Sequence, residues 1–359
     1  MQSNNRKLLR GWLFDVYPSD FGKVAVWLIT ESGERVKLTD TFEPCIYVSG
    51  KQEDLERLIS RLCNNKKIAS WRFVQKYVQV TDTEKSRVLE LTVKDCRQTR
   101  SVMIEILRMG DYLRYELHNC DIQGDRAYLF KHDLFPLAFV EVRTAKSGLT
   151  YTLLDSVESL DYALPKLRIL HLEVEVAKKG VIANFDDEIS LFRLKQESKD
   201  DILIDYGDEA TKLLQLVYAV NDLDPDIILT ESGDSYLFPY LLYRATVNDV
   251  VDDFILSRDN TPFDRKTASG KTYFSYGHTF YRASTFRLHG RIHIDENNTF
   301  ILREAGFEGF IEIARTCRVP LHTAARFSIG SSMSSIQYYQ AIKDDRLLPR
   351  NKKIGTVLI

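Results

Sequence analysis

One segment restricts the fold more than any other part of the sequence. It begins with an apolar run, LRILHLEVEV at residues 167–176, which is short and alternates near its end, as a β-strand does. The helix that is predicted further on carries Leu213, Leu216, Val217 and Val220 at helical spacing. The predicted elements are strands at residues 167–176, 189–194 and 202–205, a helix at 210–221 and a strand at 226–230.

Two carboxylates interrupt the first of these strands. Glu173 and Glu175 are two residues apart, so they face the same side of a strand. Two like charges in an otherwise apolar segment repel each other, and a Mg²⁺-type cation with oxygen ligands would relieve that repulsion. The alternative is an edge strand with a solvated acidic face, because charged side chains mostly remain in water.

Composition excludes several classes of protein. Lys+Arg 49 against Asp+Glu 51 gives a net charge of −2, so nucleic acid could bind only through local basic patches. The five cysteines are scattered and show no disulfide framework or zinc spacing. The polar, basic N-terminus lacks the apolar core of a signal peptide, and no stretch approaches the roughly 18 apolar residues of a membrane span. We therefore expect an intracellular, cytoplasmic protein without a membrane partner.

Residues 11 to about 140 indicate an α+β region. Two predicted helices, at residues 53–62 and 99–107, alternate with predicted strands in two passes that resemble βαβ units, which favours a small domain of mixed sheet and helix, with the helices on one face of the sheet. A polar, mixed stretch at residues 141–165 is interpreted as a domain boundary. The predicted strands occupy residues 11–17, 24–30, 45–48, 72–80 and 88–93.

Several segments together resemble the family B DNA polymerases, particularly archaeal and bacterial types. Each motif alone is only a hypothesis, but their order and spacing are specific. The resemblance covers almost the whole chain. The segments are TFEPCIY at residues 41–47, NCDI at 119–122 with YLF at 128–130 and LFP at 134–136, LHLEVE at 170–175, DPDIILT at 224–230 with GDSYLFPYL at 233–241, GRIHID at 290–295, and IEIAR at 311–315 with VPL at 319–321 and ARFSIG at 325–330.

This resemblance implies three domains and a parent activity. Residues 1–150 would be the N-terminal domain, 151–305 a ribonuclease-H-like, 3′–5′ exonuclease-like domain, and 306–359 a helical connection that returns toward the first domain and leads to the polymerase palm. The parent would extend a primer on a DNA template with Mg²⁺ and dNTPs. Its expected partners are template-primer or single-stranded DNA, the remaining polymerase domains in cis or as a separate subunit, and a sliding clamp, with a nucleoid-associated location.

The exonuclease motifs depart from the family pattern. Glu173 stands where the first motif usually has Asp, Leu237 occupies the Asp position of the second motif, and Ser232 replaces its Asn. Leucine cannot ligate a hard cation. Asp234 lies three positions upstream of the ligand position, and the third, helical Y-x-x-x-D motif is not found. Of a metal site, only Glu173, Glu175 and Asp295 remain as candidates, so the resemblance predicts an exonuclease fold without its chemistry and without a tightly bound ion.

The palm motifs of the family, D-x-x-S-L-Y-P and Y-x-D-T-D, do not occur in the sequence. The final residues, GTVLI at 355–359, resemble a strand that is cut short. We therefore expect either a fragment of a longer polymerase or the product of a naturally split gene.

Two basic groups are candidates for DNA binding. Arg72 and Lys76 are interleaved with aromatic residues, which is the pattern of a single-strand platform but equally that of an amphipathic strand with buried rings. The second group lies in the C-terminal tail and could position a template phosphate, or could be a solvated linker. It comprises Arg346, Arg350, Lys352 and Lys353.

Two alternative functions remain open. In one, Glu173, Glu175 and Asp295 hold metal with Glu304 or Glu308, and the nuclease is active. In the other, the chain is a non-catalytic DNA-binding scaffold for a separate polymerase subunit.

His293 shares a strand face with Asp295, which suggests a satisfied surface pair rather than a metal pair.

Overall fold

The computed structural model divides the chain into two compact units. The first contains the described residues of Met1–Ala163, Ala314–Pro320 and Ser331–Ile359, and the second those of Leu164–Ile313 and Leu321–Gly330. The structure describes residues 8–145, 148–178, 180, 184–197, 199–263, 271–275, 278–282 and 285–350.

Up to Ala163, the described part of the first unit contains two antiparallel sheets and three α-helices. In chain order its elements are β1 (Leu8–Pro18), β2 (Lys23–Thr30), β3 (Arg35–Thr41), β4 (Cys45–Ser49), α1 (Gln52–Leu62), β5 (Ile68–Lys76), β6 (Ser86–Val93), α2 (Thr99–Met109), β7 (Glu116–His118), α3 (Gly124–Lys131), β8 (Phe139–Ala145) and β9 (Gly148–Leu153).

Five strands form the larger sheet of this unit, in the order β3-β2-β1-β8-β9. Helix α3 packs on it, and Leu13, Val26, Tyr128 and Val142 belong to the shared apolar core. The sequence did not predict α3 because residues on several sides of this helix are buried, including Asp125 and Arg126, so no single apolar stripe is visible.

The smaller sheet has the order β5-β6-β4-β7. Its chain order β4-α1-β5-β6-α2-β7 is that of a ferredoxin-like split βαβ arrangement. Helices α1 and α2 cover one face, where Leu58 and Ile106 pack with Ile46 and Leu91. The two predicted βαβ-like passes with helices on one face are therefore present, and they interleave in one sheet whose neighbouring strands are antiparallel.

The second unit begins with the segment that restricted the fold from sequence. From Leu164 onward the elements are β10 (Ile169–Ala177), β11 (Glu188–Gln196), β12 (Ile202–Ile204), α4 (Glu209–Leu223), β13 (Ile227–Thr230), α5 (Phe238–Val247), β14 (Lys271–Ser275), β15 (His278–Arg282), β16 (Ile292–Asp295), α6 (Ile301–Thr316), α7 (Leu321–Ala324) and α8 (Ile329–Lys343). The end of α6 and most of α8 belong to the first unit.

The main sheet of this unit has the order β12-β11-β10-β13-β16. Strands β10, β11 and β12 form an antiparallel meander, whereas β13 and β16 join in parallel. Asp208 caps the N-terminus of helix α4, because its carboxylate accepts a hydrogen bond from Thr211 N, and the helix packs Leu213 and Leu216 against the sheet. The predicted order of three strands, helix and strand is confirmed, and it is that of a ribonuclease-H-like sheet.

Some element bounds differ from the predictions. Strand β9 pairs with β8 along its length, so the first compact unit extends past residue 150 to Ala163. The helix expected at 306–315 is α6, which begins five residues earlier and is interrupted at Gly306 (φ 66°, ψ −174°), a conformation that glycine adopts without a steric penalty. Among the described residues, no helix is long and apolar enough to span a membrane.

Candidate functional site

Glu173 and Glu175 lie on the part of β10 that has a neighbour on one side only. Strand β13 pairs with β10 over Ile169–His171, and beyond that point β10 pairs with β11 alone. The two side chains are 46% and 56% exposed. Strand β10 is thus central in the sheet, but this stretch has the solvated acidic face that the sequence left open as the alternative to a metal site.

Cations on β11 neutralise both carboxylates. Lys195 Nζ donates to Glu173 Oε1 at 2.5 Å, and Arg193 Nη2 lies 3.4 Å from Glu175 Oε1. Arg193 also pairs with Asp201, at 3.4 Å. Cross-strand pairs of opposite charge relieve the repulsion between Glu173 and Glu175 without a metal ion.

Asp295 lies on the opposite face of the same sheet. Leu170 is paired in register with Ile228, and Ile228 with His293, so these three side chains share the core-facing side. Asp295, two residues after His293, also lies on that side. Glu173 alternates with Leu170 and Leu172 and therefore lies on the other side, so the structure does not bring the three predicted metal ligands together.

Leu237 ends a π-helical turn, Gly233–Leu237, between β13 and α5. Its side chain is 3% exposed and belongs to the apolar core of the second unit, with Leu172 and Phe238. The position at which the motif would supply a carboxylate is thus part of the hydrophobic core.

Asp234, in the same turn, is fully buried and fully hydrogen-bonded. Arg326 donates to it through Nε (2.8 Å) and Nη2 (3.0 Å) in a bidentate pair. The backbone amide of Phe286 and the side-chain amide of Asn298 also donate, both at 2.8 Å. Burial raises the pKa of Asp234, but the Arg326 charge and these hydrogen bonds outweigh it and hold the pKa below its ordinary value.

His293 completes this buried polar cluster. Its Nε2 lies 2.8 Å from Thr230 Oγ1, and its Nδ1 lies 3.0 Å from Phe286 O. Burial, together with the Arg326 charge, lowers the pKa of His293 to about 4, so the ring is neutral at physiological pH. The expected surface pair of His293 and Asp295 is therefore wrong, because both residues are almost completely buried.

Asp295 accepts hydrogen bonds from backbone amides. Asp234 N donates to its Oδ2 at 2.9 Å, and Asn297 N donates to its Oδ1 at 3.0 Å. Burial outweighs these bonds and raises the pKa of Asp295. This carboxyl group fixes the π-helical turn to the end of β16 and takes no part in a cluster with Glu173 or Glu175.

These residues do not fit a two-ion cage. A hard cation needs several oxygen ligands that converge on one point. In the described part of the chain, no group of three or more His, Cys, Asp or Glu residues could hold a metal ion. Glu173 and Glu175 are paired with Arg193 and Lys195, and Asp234 is paired with Arg326.

Arg72 and Lys76 lie on strand β5, on the face of the smaller sheet that α1 and α2 do not cover. Arg72 donates to the buried Glu90 at 2.5 Å, and both basic residues line a cavity of about 350 Å³. Trp71 and Phe73 lie on the opposite, helix-covered face, where Phe73 packs in the core. The rings and cations therefore do not form one continuous single-strand platform.

Two of the four tail candidates fall within the described residues. Arg346 pairs in a parallel bridge with Tyr77, and Arg350 N donates to Leu117 O at 3.0 Å. Leu347 between them is 3% exposed. Residues 345–350 are thus bound to the smaller sheet and are not a solvated linker. Lys352 and Lys353 lie outside the described residues.

Comparisons with known proteins agree with this architecture. A DNA polymerase of Archaeoglobus fulgidus is 25% identical over an alignment of 252 residues that covers 66% of this chain and 30% of that polymerase. DNA polymerase 1 of Pyrococcus abyssi is 27% identical over an alignment of 256 residues that covers 68% of this chain and 30% of that protein. The match thus spans about a third of the length of these curated relatives. No protein-family model matches the chain.

A solved structure extends the likeness to nearly the whole chain. The family B DNA polymerase of Pyrobaculum calidifontis superposes with a TM-score of 0.73 at 18% sequence identity, covering 96% of this chain and 52% of that polymerase. The resemblance inferred from the ordered motifs is confirmed. In its sequence and its fold, the chain is similar to the N-terminal region of archaeal family B DNA polymerases.

Proposed function

We propose that this chain is a DNA-binding, exonuclease-like region of a family B DNA polymerase in which the 3′–5′ exonuclease chemistry has been lost. One observation carries the proposal: Leu237 is packed in the core at the position where the second motif supplies a carboxylate. Glu173 and Glu175 lie on the opposite sheet face from Asp295 and are paired with cations.

The chemistry of phosphodiester cleavage explains why this arrangement would be inactive. In a two-metal site, the ions stabilise both the attacking and the leaving oxygen of an in-line displacement. Holding two such ions requires converging carboxylates, and Arg193 and Lys195 already neutralise the two on β10. The buried Asp234–Arg326 pair would hold the motif turn in place, a structural role that needs no ion.

The role in the parent protein follows from the family. We propose that the parent extends a primer on a DNA template using Mg²⁺ and dNTPs, with the palm supplied in cis or by a separate subunit, and that a sliding clamp is a further partner. The region described here would contact DNA through basic residues of its first unit, because Arg72, Lys76 and Arg346 cluster around one sheet there.

A nuclease assay combined with a binding assay tests this proposal. The chain should bind a fluorescently labelled single strand at low salt but leave its length unchanged in Mg²⁺ or Mn²⁺. A shortened strand, with activity that Glu175→Ala abolishes and the exposed control Glu197→Ala does not, would contradict the loss of exonuclease chemistry. Absence of binding at low salt would contradict the DNA-binding role.

A further inference from the structure

A basic cluster surrounds Tyr77 in the first unit. Lys85 Nζ lies 5.5 Å from the centroid of the Tyr77 ring, and Arg346 Cζ lies 4.5 Å from it. Lys76, the residue before Tyr77, places its Nζ 5.7 Å from the Tyr47 ring. We call Lys76, Tyr77, Lys85 and Arg346 the Tyr77 cluster.

The backbone fixes the members of this cluster relative to one another. Tyr77 N donates to Asp345 O at 3.1 Å, and Leu347 N donates to Tyr77 O at 2.8 Å, so residues 345–347 extend the sheet beside Tyr77. Asp82 Oδ2 accepts from the amides of Val78 (3.0 Å) and Gln79 (2.8 Å), which closes the loop between β5 and β6. The cluster is therefore built on paired backbone.

A carboxylate of the protein itself occupies the centre of the cluster. Lys76 Nζ lies 2.5 Å from Asp345 Oδ1, and Lys85 Nζ lies 2.8 Å from Asp345 Oδ2. The hydrogen bonds from Lys76 and Lys85 lower the pKa of Asp345 to about 2, so this carboxylate is charged at physiological pH. Two ammonium groups thus hold the two oxygens of one anion.

The Tyr77 cluster carries more positive than negative charge. The cluster has three cations, and two of them share the single carboxylate of Asp345. The Asp82 carboxylate in the adjoining loop already accepts from two backbone amides. All three hydrogen bonds of Arg346 to the described residues come from Nη1, which donates to the carbonyls of Gln79, Val80 and Asp82 at 2.9 to 3.3 Å. Its Nε and Nη2 are further donors for an anion.

We propose that the Tyr77 cluster binds a backbone phosphate of single-stranded DNA and that Asp345 competes with that phosphate for Lys76 and Lys85. This inference rests on the DNA-binding role proposed above and names its contact site. The two non-bridging oxygens of a phosphodiester can accept from two lysines as the two oxygens of Asp345 do.

The competition predicts opposite effects of two substitutions. Asp345→Asn removes the competing charge and should tighten binding of a fluorescent oligo-dT about fivefold, as expected for one charge at about 4 Å in water. Asp344→Asn is the matched control, because the neighbouring Asp344 carboxylate accepts from Gln340 and contacts neither lysine by hydrogen bond or ion pair. This control should change the affinity much less.

Lys85→Gln tests the same site without disturbing the backbone pairs. It should weaken oligo-dT binding about fivefold and reduce the slope of log K against log salt by about 0.7, the value for one phosphate contact on a single strand. Circular dichroism checks that each variant remains folded. Inorganic phosphate at matched ionic strength should displace the oligonucleotide only weakly.

The outcomes separate this inference from the proposed function. If the wild-type chain binds oligo-dT but Lys85→Gln and Asp345→Asn leave affinity and salt slope unchanged, the phosphate site is wrong and the DNA-binding role stands. If the wild-type chain fails to bind at low salt, both are wrong. Displacement by inorganic phosphate as effective as by DNA would identify a free-anion site and contradict a DNA contact.

Discussion

The buried pair of Asp234 and Arg326 gives the sharpest prediction about the second unit. Arg326→Met keeps most of the side-chain volume but removes the cation, leaving the Asp234 carboxylate with two donors, the amides of Phe286 and Asn298. Because Asp234 is fully buried, it cannot recover hydration in place of the lost partner. We expect this substitution to destabilise the second unit strongly.

The size of the expected change in the free energy of unfolding follows from the burial of the ion pair. Removing one partner of a buried ion pair costs about 3–5 kcal/mol, since an uncompensated charge remains inside. That is a large part of the roughly 5–15 kcal/mol by which a domain is stable. Arg303→Met is the control, because Arg303 is exposed on α6, and substitutions at exposed sites usually change stability by no more than about 0.5 kcal/mol.

The loss of stability caused by Arg326→Met should decrease as the pH is lowered. In the wild-type chain the pKa of Asp234 is lowered, so the pair contributes stability above the unfolded pKa near 3.9 and loses it as the pH falls through the folded pKa. In Arg326→Met the burial remains without the cation, so the carboxyl binds a proton more readily. The loss of stability should thus be greatest at pH 7.5 and smaller near pH 4.5.

The assay is urea unfolding at both pH values, followed by far-UV circular dichroism. Tryptophan fluorescence would not report on this unit, because Trp12, Trp27 and Trp71 all lie in the first unit. Hydrogen exchange at the Phe286 amide adds a local probe, since that amide donates to Asp234. A loss below about 1 kcal/mol at pH 7.5, comparable to that of Arg303→Met, would refute the reasoning.

Two further predictions concern the same cluster. The pKa of His293 is about 4 in the folded chain and near 6.5 in the unfolded chain, so the unfolded state binds more protons between these two pH values. The free energy of unfolding should therefore be greatest above pH 6.5 and decrease by up to about 3 kcal/mol toward pH 4. An NMR titration of the His293 ring measures its pKa directly. Gly233→Ala should lower the free energy of unfolding by about 1–3 kcal/mol, because the added Cβ would lie 2.0 Å from Thr230 Oγ1 and 2.5 Å from His293 Nε2. Gly330→Ala is the control and should cost much less, since its Cβ would have no atom within 4 Å. Thermal unfolding measures both.

The order of elements in the second unit could be predicted because each has its own local signal. Strand β10 alternates, and α4 carries Leu213, Leu216 and Val220 on one buried face. For Glu173 and Glu175 the sequence allowed two interpretations, a metal site and a solvated acidic face. The choice between them could not be made from the sequence, since it depends on the register of β11, which places Arg193 opposite Glu173 and Lys195 opposite His171, within reach of Glu173.

The buried polar cluster could not be predicted, because its partners are far apart in the chain. Arg326 contacts Asp234 across 92 residues, and no local pattern joins them. A single arginine in the apolar-flanked segment ARFSIG was the only available signal. In the first unit, Asp345 meets Lys76 across 269 residues, so a tail that resembled a solvated linker is in fact attached to a sheet edge.

The central claim is that the carboxylates of the exonuclease-like unit do not assemble a two-ion site, and Mn²⁺ binding tests it most directly. Calorimetric titration of the chain with Mn²⁺, repeated with the Glu173→Gln, Glu175→Gln double variant, measures the number and affinity of bound ions. We expect no saturable binding of two ions and no difference between the two proteins. Tight binding of two ions that the double variant abolishes would contradict the account.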